Sequence, residues 1–184
     1  MPDLYPFINE GYRAMVFVDG ENLAIRYGAA KRQQGSPDKA EVVHIPEVAV
    51  WAPILSPRNS SLSGTRVIRK HYYTSVPKGD PPKLQEVREQ LKQKGFEAPN
   101  VFPKDKTKGS KRVDISLTTD MLLHAARKHY DIAVLVAGDE DYIPLVRAVK
   151  GEGARVHVWF LSNGLNPQLR DESDYFVDLD EFLL

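Results

Sequence analysis

The stretch Tyr130–Val149, YDIAVLVAGDEDYIPLVRAV, decides how this chain folds. Ile132-Ala133-Val134-Leu135-Val136 is a short apolar run, rich in β-branched residues and bounded by Asp131 and Gly138. It reads as a strand buried on both faces. Ala137 and Gly138 let the backbone turn, and three acids follow: Asp139, Glu140 and Asp141. Tyr142, Leu145, Val146 and Val149 then recur at i, i+3, i+4 and i+7, the apolar stripe of a helix. Pro144 fits in the first turn of that helix, where amides lack intrahelical acceptors. Strand, turn and helix thus set carboxylates at the carboxyl end of a buried strand, the edge where open α/β sheets bind ligands. Capping by Asp139 or Asp141 is the plain structural explanation for these acids.

The same layout occurs earlier in the chain. Ala14-Met15-Val16-Phe17-Val18 is a second short buried strand, and it runs into Asp19-Gly20-Glu21-Asn22 and a helical stretch carrying Leu23, Ala24, Tyr27 and Ala30. Two parallel, adjacent strands of this kind would bring both carboxylates to one sheet edge. Capping accounts for each acid cluster separately but not for their recurrence.

Between and beyond these units the chain alternates strand and helix. Thr65–Val76 reads as a strand whose Arg69, among other cations and aromatics, suits either a solvated face or nucleic acid. Lys83–Lys94 reads as a helix stopped by Gly95, and Phe96–Phe102 as a strand. A long helix starts near Val113-Asp114, with Leu117, Met121 and Ala125 on its buried face. Asp120 within it calls for a cation or a hydrogen-bond donor. Ala154–Leu161 is a further strand, and Phe176–Leu179 a short edge element. The segment 1–13 is irregular, and 35–64 is a Pro/Ser-rich insert in which Glu47–Leu55 suggests a short helix or apolar flap and Ser60–Gly64 a mobile turn. The pattern predicts an α/β sandwich with a mainly parallel sheet, built as a single domain over residues 1–184.

Composition excludes several classes. Lys+Arg and Asp+Glu both number 25, so net charge favours no polyanionic partner and local clustering must decide. The absence of cysteine removes disulfides, thiol catalysis and Cys-ligated zinc. No apolar run reaches the roughly 18 residues that span a bilayer, and MPDLYPFINEGYR lacks the regions of a signal peptide. A soluble cytoplasmic protein with no membrane partner is the expectation.

Asp19, Asp114, Asp120, Asp139 and Asp141 could not all stay ionised at close range without a counter-charge. Mg²⁺ or Mn²⁺, which take few carboxylates, several waters and substrate phosphates, would supply it. Such an ion activates water and polarises phosphoryl oxygens. The most basic run, Pro103–Arg112, carries Lys104, Lys106, Lys108, Lys111 and Arg112 and leads directly into Asp114. A charge run is usually a solvated loop, but beside an acidic site it would hold a phosphate backbone. Together these features point to metal-dependent hydrolysis of a phosphodiester.

FVDGENL at Phe17–Leu23, KRVDISLTTDML at Lys111–Leu122 and LVAGDEDYIPLV at Leu135–Val146 resemble, in this order, the three motifs of the NYN domains. These are PIN-like nucleases related to the LabA group, and the resemblance runs from Met15 to Phe160. It implies a PIN-like three-layer α/β/α sandwich with a central parallel sheet. It also implies an endoribonuclease acting on single-stranded or structured RNA with Mg²⁺ or Mn²⁺. By position, Asp19, Asp114 and Asp139 match the core catalytic acids, Asp120 and Asp141 the auxiliary metal-binding acids, and Asn22 the polar residue after the first motif. Asn22, Arg69 and, in the basic run, Lys104, Lys106, Lys108, Lys111 and Arg112 are the expected RNA contacts. Ala137 stands where serine is common in the family, and Tyr142 where phenylalanine is common; neither change removes a carboxylate.

Other classes fit parts of the same pattern. A non-catalytic RNA-binding or regulatory module would keep the acids for a metal site, and a homo-oligomer is open to either reading. An aspartyl-phosphate phosphatase wants a second Asp two residues after the first, where this chain has Glu21. Dinucleotide binding lacks a G-x-G-x-x-G after any strand.

Overall fold

The computed structural model describes residues 11–35, 37, 39–57, 65–104 and 111–184. The first apolar run forms β1 (Arg13–Asp19), followed at once by α1 (Gly20–Gln34). The insert carries a hairpin, β2 (Val43–Ile45) and β3 (Ala49–Trp51), and a 3₁₀ turn at Pro53–Leu55. There follow β4 (Arg66–Pro77), α2 (Pro81–Gln93), β5 (Ala98–Lys104), α3 (Lys111–Ala126) and β6 (Ile132–Val136). A 3₁₀ turn at Glu140–Tyr142 leads into α4 (Ile143–Gly151), then β7 (Arg155–Phe160), α5 (Pro167–Glu172), β8 (Tyr175–Asp178) and α6 (Asp180–Leu183).

Six strands form one sheet in the order β5-β4-β1-β6-β7-β8, and every neighbouring pair is parallel. From β1 the chain winds outward through β4 and β5, then crosses back to β6 on the other side of β1. The winding direction therefore reverses between β1 and β6, and a crevice opens there beyond the carboxyl ends of the strands.

Strand alternation fills both faces. On β1, Ala14, Val16 and Val18 join one core with Leu23 and Tyr27 of α1 and Val87 and Leu91 of α2. Met15 and Phe17 face the other core, with Leu117 and Met121 of α3, Val146 of α4 and Leu169 of α5. Helices therefore cover both sides of a buried sheet, which explains why its central strands read as continuous apolar runs rather than alternating ones. Among the described residues, no helix is long and apolar enough to cross a membrane.

Two expectations are corrected. Glu47–Leu55 is helical only in the 3₁₀ turn Pro53–Leu55, and Ala49–Trp51 is instead a strand that pairs antiparallel with Val43–Ile45. The turn between them runs through Pro46 and Glu47, the latter at φ 59°, and Val48 N–H closes it onto the Ile45 carbonyl at 3.0 Å. The hairpin is part of the core because the Tyr72 hydroxyl accepts from Val50 N–H at 3.0 Å and donates to the Val50 carbonyl at 2.8 Å. Trp51 is half-buried, with Lys94 Nζ 4.4 Å above its ring. The helix expected at Lys83 starts two residues earlier, at Pro81, because Asp80 caps it by accepting from Lys83 N–H at 2.9 Å. The expected mobile turn at Ser60–Gly64 lies outside the described residues.

Candidate active site

Asp19 is the last residue of β1. Its odd position in the strand turns it toward the α3 and α4 side, and it is only 2 % exposed. One carboxylate oxygen caps α1 by accepting from Asn22 N–H at 3.0 Å. The other accepts from the Tyr142 hydroxyl at 2.7 Å. The same hydroxyl stands 3.4 Å from Asp114 Oδ1, so one phenol joins the carboxylates of β1 and α3. A phenol has a single proton, and the shorter bond to Asp19 takes it. Burial, with the nearby charges of Asp114 and Asp139 adding to it, pushes the Asp19 carboxyl up to about 7. Asp114 is also raised, by burial first and then by the charges of Glu21, Asp139 and Asp141.

Asp139 follows β6 on the other side of the switch point. It occupies the N-cap position of the 3₁₀ turn but makes no capping bond with its side chain, so the plain explanation of this acid is not the one the structure supports. Instead it accepts from Asn22 Nδ2 at 2.6 Å and lies 3.6 Å from Arg26. Asn22 and Arg26 are four apart on α1, so they share a helix face. Asn22 Oδ1 also accepts from Gly138 N–H at 3.2 Å. This one amide therefore ties the two acid-bearing strand ends together.

Two glycines let these ends approach. A Cβ on Gly20 would lie 2.0 Å from Tyr72 Cε1, and one on Gly138 would lie 2.3 Å from Phe160 Cε1. Neither glycine has a positive φ; close packing, not turn conformation, demands them.

The other expected residues distribute as follows. Asp141 is exposed and near enough to Asp114 to raise it. Asp120, expected as an auxiliary acid, instead accepts from the Tyr73 hydroxyl at 2.8 Å. That hydroxyl in turn accepts from His71 Nδ1–H at 3.1 Å, and burial holds His71 down to about 4. Arg69 is exposed four residues before Tyr73, the residue registered with Asp19, and so sits about 13 Å back along the strand from the acid edge. Lys111 and Arg112 are exposed in the first turn of α3, beside Asp114. Lys106 and Lys108 lie outside the described residues. Lys104, the last residue of β5, has its ammonium on Glu21.

Three participants were missed in the sequence. Tyr142 falls on the apolar stripe of its helix, which hides its hydroxyl, and the signal for it is that tyrosine stands where phenylalanine is common in the family. Arg26 had a signal in its i, i+4 spacing from Asn22. Glu21 belongs to the acid cluster after the first strand but carries no site role in the sequence reading, yet it is 8 % exposed and accepts from Ser75 Oγ at 2.7 Å.

The donor set is all oxygen and mostly carboxylate, which suits a hard divalent cation. Asp19, a buried carboxylate, has no ion-pair partner among the described residues. Also among the described residues, no three His, Asp or Glu side chains are arranged to hold a metal ion. The Tyr142 hydroxyl stands between two of the candidate ligands.

A fully parallel six-stranded sheet with helices on both faces carries one buried acid, Asp19, at its switch point, beside the more exposed Asp114, Asp139 and Asp141. The chain belongs to the NYN domain family, whose model matches residues 13–180, and that family is one of PIN-like nucleases. A crystal structure of a protein of unknown function from Vibrio parahaemolyticus shares the fold. It has a TM-score of 0.65 and 21 % identity, over 96 % of this chain and 100 % of that one. No match was found among curated proteins.

Proposed function

We propose that this protein is a metal-dependent endoribonuclease that hydrolyses RNA phosphodiester bonds, with residues 1–184 acting as one NYN domain. The observation that carries the reading is Asp19: a buried carboxylate at the sheet's switch point, facing Asp114 with no ion-pair partner among the described residues. An uncompensated buried acid is costly and marks functional sites. Asp19, Asp114 and Asp139 would hold Mg²⁺ or Mn²⁺, with Asp141 beside them. Bound there, the ion would make a water more acidic and polarise a phosphoryl oxygen. Asn22 orients Asp139, and Tyr142 orients Asp19. Lys111 and Arg112, exposed next to Asp114, would pair with backbone phosphates, as would Lys106 and Lys108.

The test is cleavage of a labelled single-stranded RNA by the parent and by Asp114→Asn, with Mn²⁺, with Mg²⁺ and with chelator. Cleavage by the parent alone, abolished by chelator, is expected. One observation favours a second reading, an RNA-binding module without catalysis: the described side chains form no three-ligand arrangement. RNA binding by the parent with no cleavage under any divalent ion would establish that reading instead.

A further inference from the structure

The charges of Glu21, Asp139 and Asp141 reach Asp114, and those of Asp114 and Asp139 reach Asp19; of these acids, Glu21 and Asp139 already carry a cation of the protein's own. The Arg26–Asp139 pair is open: the groups are 3.6 Å apart and both side chains are nearly half exposed, at 45 % and 44 %. A solvated pair of this kind yields readily to a stronger ligand. Glu21 is held differently. Its side chain is 10 % exposed, one carboxylate oxygen is paired with Lys104 Nζ, and the other accepts from Ser75 Oγ at 2.7 Å.

The sheet explains how those donors arrive. Tyr73 of β4 is registered with Asp19, the end of β1. Strand β4 runs on past that point to Pro77, which is registered with Lys104 of β5. Ser75 and Lys104 therefore overhang the acid edge from two paired strands. Glu21 is the shielded member of the pair, at 10 % exposed against 33 % for Lys104, and turning it to a metal would break its contacts with both Lys104 and Ser75.

We propose that Lys104 is the built-in second cation of this site: the protein takes one divalent ion, at Asp19 and Asp114, and the Lys104 ammonium on Glu21 fills the place of a second. The inference rests on the metal-dependent reading above. Two-ion sites set their metals ~3.5–4 Å apart, and each ion needs carboxylate of its own. Glu21 lies two residues after Asp19 at the junction of β1 and α1, and its charge reaches Asp114, so it is the carboxylate a second ion beside Asp114 would draw on. Lys104 withholds it. An ammonium has three donors, so those not directed at Glu21 can meet a phosphate oxygen. Lys104 is also the first cation of the run 104–112 in the sequence.

The test counts Mn²⁺ equivalents bound near neutral pH without RNA, by titration calorimetry and by the spin-resonance signal of free Mn²⁺. The expected result is one equivalent for the parent, two for Lys104→Met, and one again for Lys104→Met combined with Glu21→Gln. Two equivalents in the parent, or one in Lys104→Met, would overturn the assignment of Lys104 while leaving the nuclease reading in place. A parent that binds no Mn²⁺ would remove both. Circular dichroism checks folding, and Lys104→Gln takes the place of Lys104→Met if the latter does not fold.

Discussion

At the scale of single residues, the site turns on how one buried carboxylate is held. Asp19 has a cap bond on one oxygen and a phenol on the other. Tyr142→Phe removes the phenol and leaves that oxygen unsatisfied at a buried position. A lost bond of this kind costs about 1–3 kcal/mol, read as a lower urea midpoint in metal-free protein; an unchanged midpoint would show that the hydroxyl holds nothing. Asp19→Asn isolates charge from capping, because asparagine caps about as well as aspartate. The Asp19 carboxyl rises from 3.8 to about 7 on folding. The native state therefore binds its proton more tightly than the unfolded chain does. The stability this gives is fully present below pH 3.8 and is lost as pH rises through about 7. Buried His71 and His157 act with the opposite sign, because both are lowered from 6.5 to about 4 and their contribution is lost as pH falls through that interval. Thermal midpoints measured without divalent ions should thus fall more steeply between pH 3.8 and about 7, the unfolded and folded values of Asp19, in the parent than in Asp19→Asn. Equal slopes would show that Asp19 is already ionised in the folded chain.

At the scale of elements, two strand-to-helix junctions build the edge, and glycine makes each of them possible. Gly20→Ala forces a methyl into Tyr72, whose ring is fixed by Val50 and by an edge contact with Phe96 at 4.9 Å. Overpacking of this kind costs about 1–3 kcal/mol, and the damage should spread to the hairpin that Tyr72 anchors. Gly28→Ala is the contrast. It lies inside α1, where the nearest atom to a new Cβ is Arg32 Nη1 at 3.5 Å, so the usual helical gain of ~0.5–1 kcal/mol is expected. Thermal unfolding of the two variants checks both signs at once. The elements themselves were legible to different degrees. The central strands announced themselves as short β-branched runs bounded by Asp and Gly. The hairpin did not, because strands of three residues hold too little period to be told from a helical turn; only its docking on Tyr72 makes it a strand pair.

At the scale of the whole molecule, the sheet order sets where chemistry can occur and the chain's charges set what can reach it. Net charge is zero, so RNA affinity has to come from a local run. Replacing Lys106, Lys108 and Lys111 together by alanine should weaken RNA binding and flatten its salt dependence. Each lost phosphate contact on a single strand reduces the slope of log K against log salt by about 0.7. Filter binding at several salt concentrations measures this, and an unchanged slope would assign the run to ordinary solvated surface.

The sequence by itself determined that two buried strands end in acids, that strand and helix alternate, and that the motifs at 17–23, 111–122 and 135–146 belong to one family. These properties are local: they depend on side-chain period, turn residues and spacing within a few positions. What only the tertiary structure decided is which groups meet. Tyr142 reaches Asp19 across 123 positions of chain, Lys104 reaches Glu21 across 83, and Asp120 is drawn to Tyr73 across 47. Such partnerships follow from strand order and register. Because β1 and β6 are neighbours although more than a hundred residues separate them, no window of sequence contains both halves of the site.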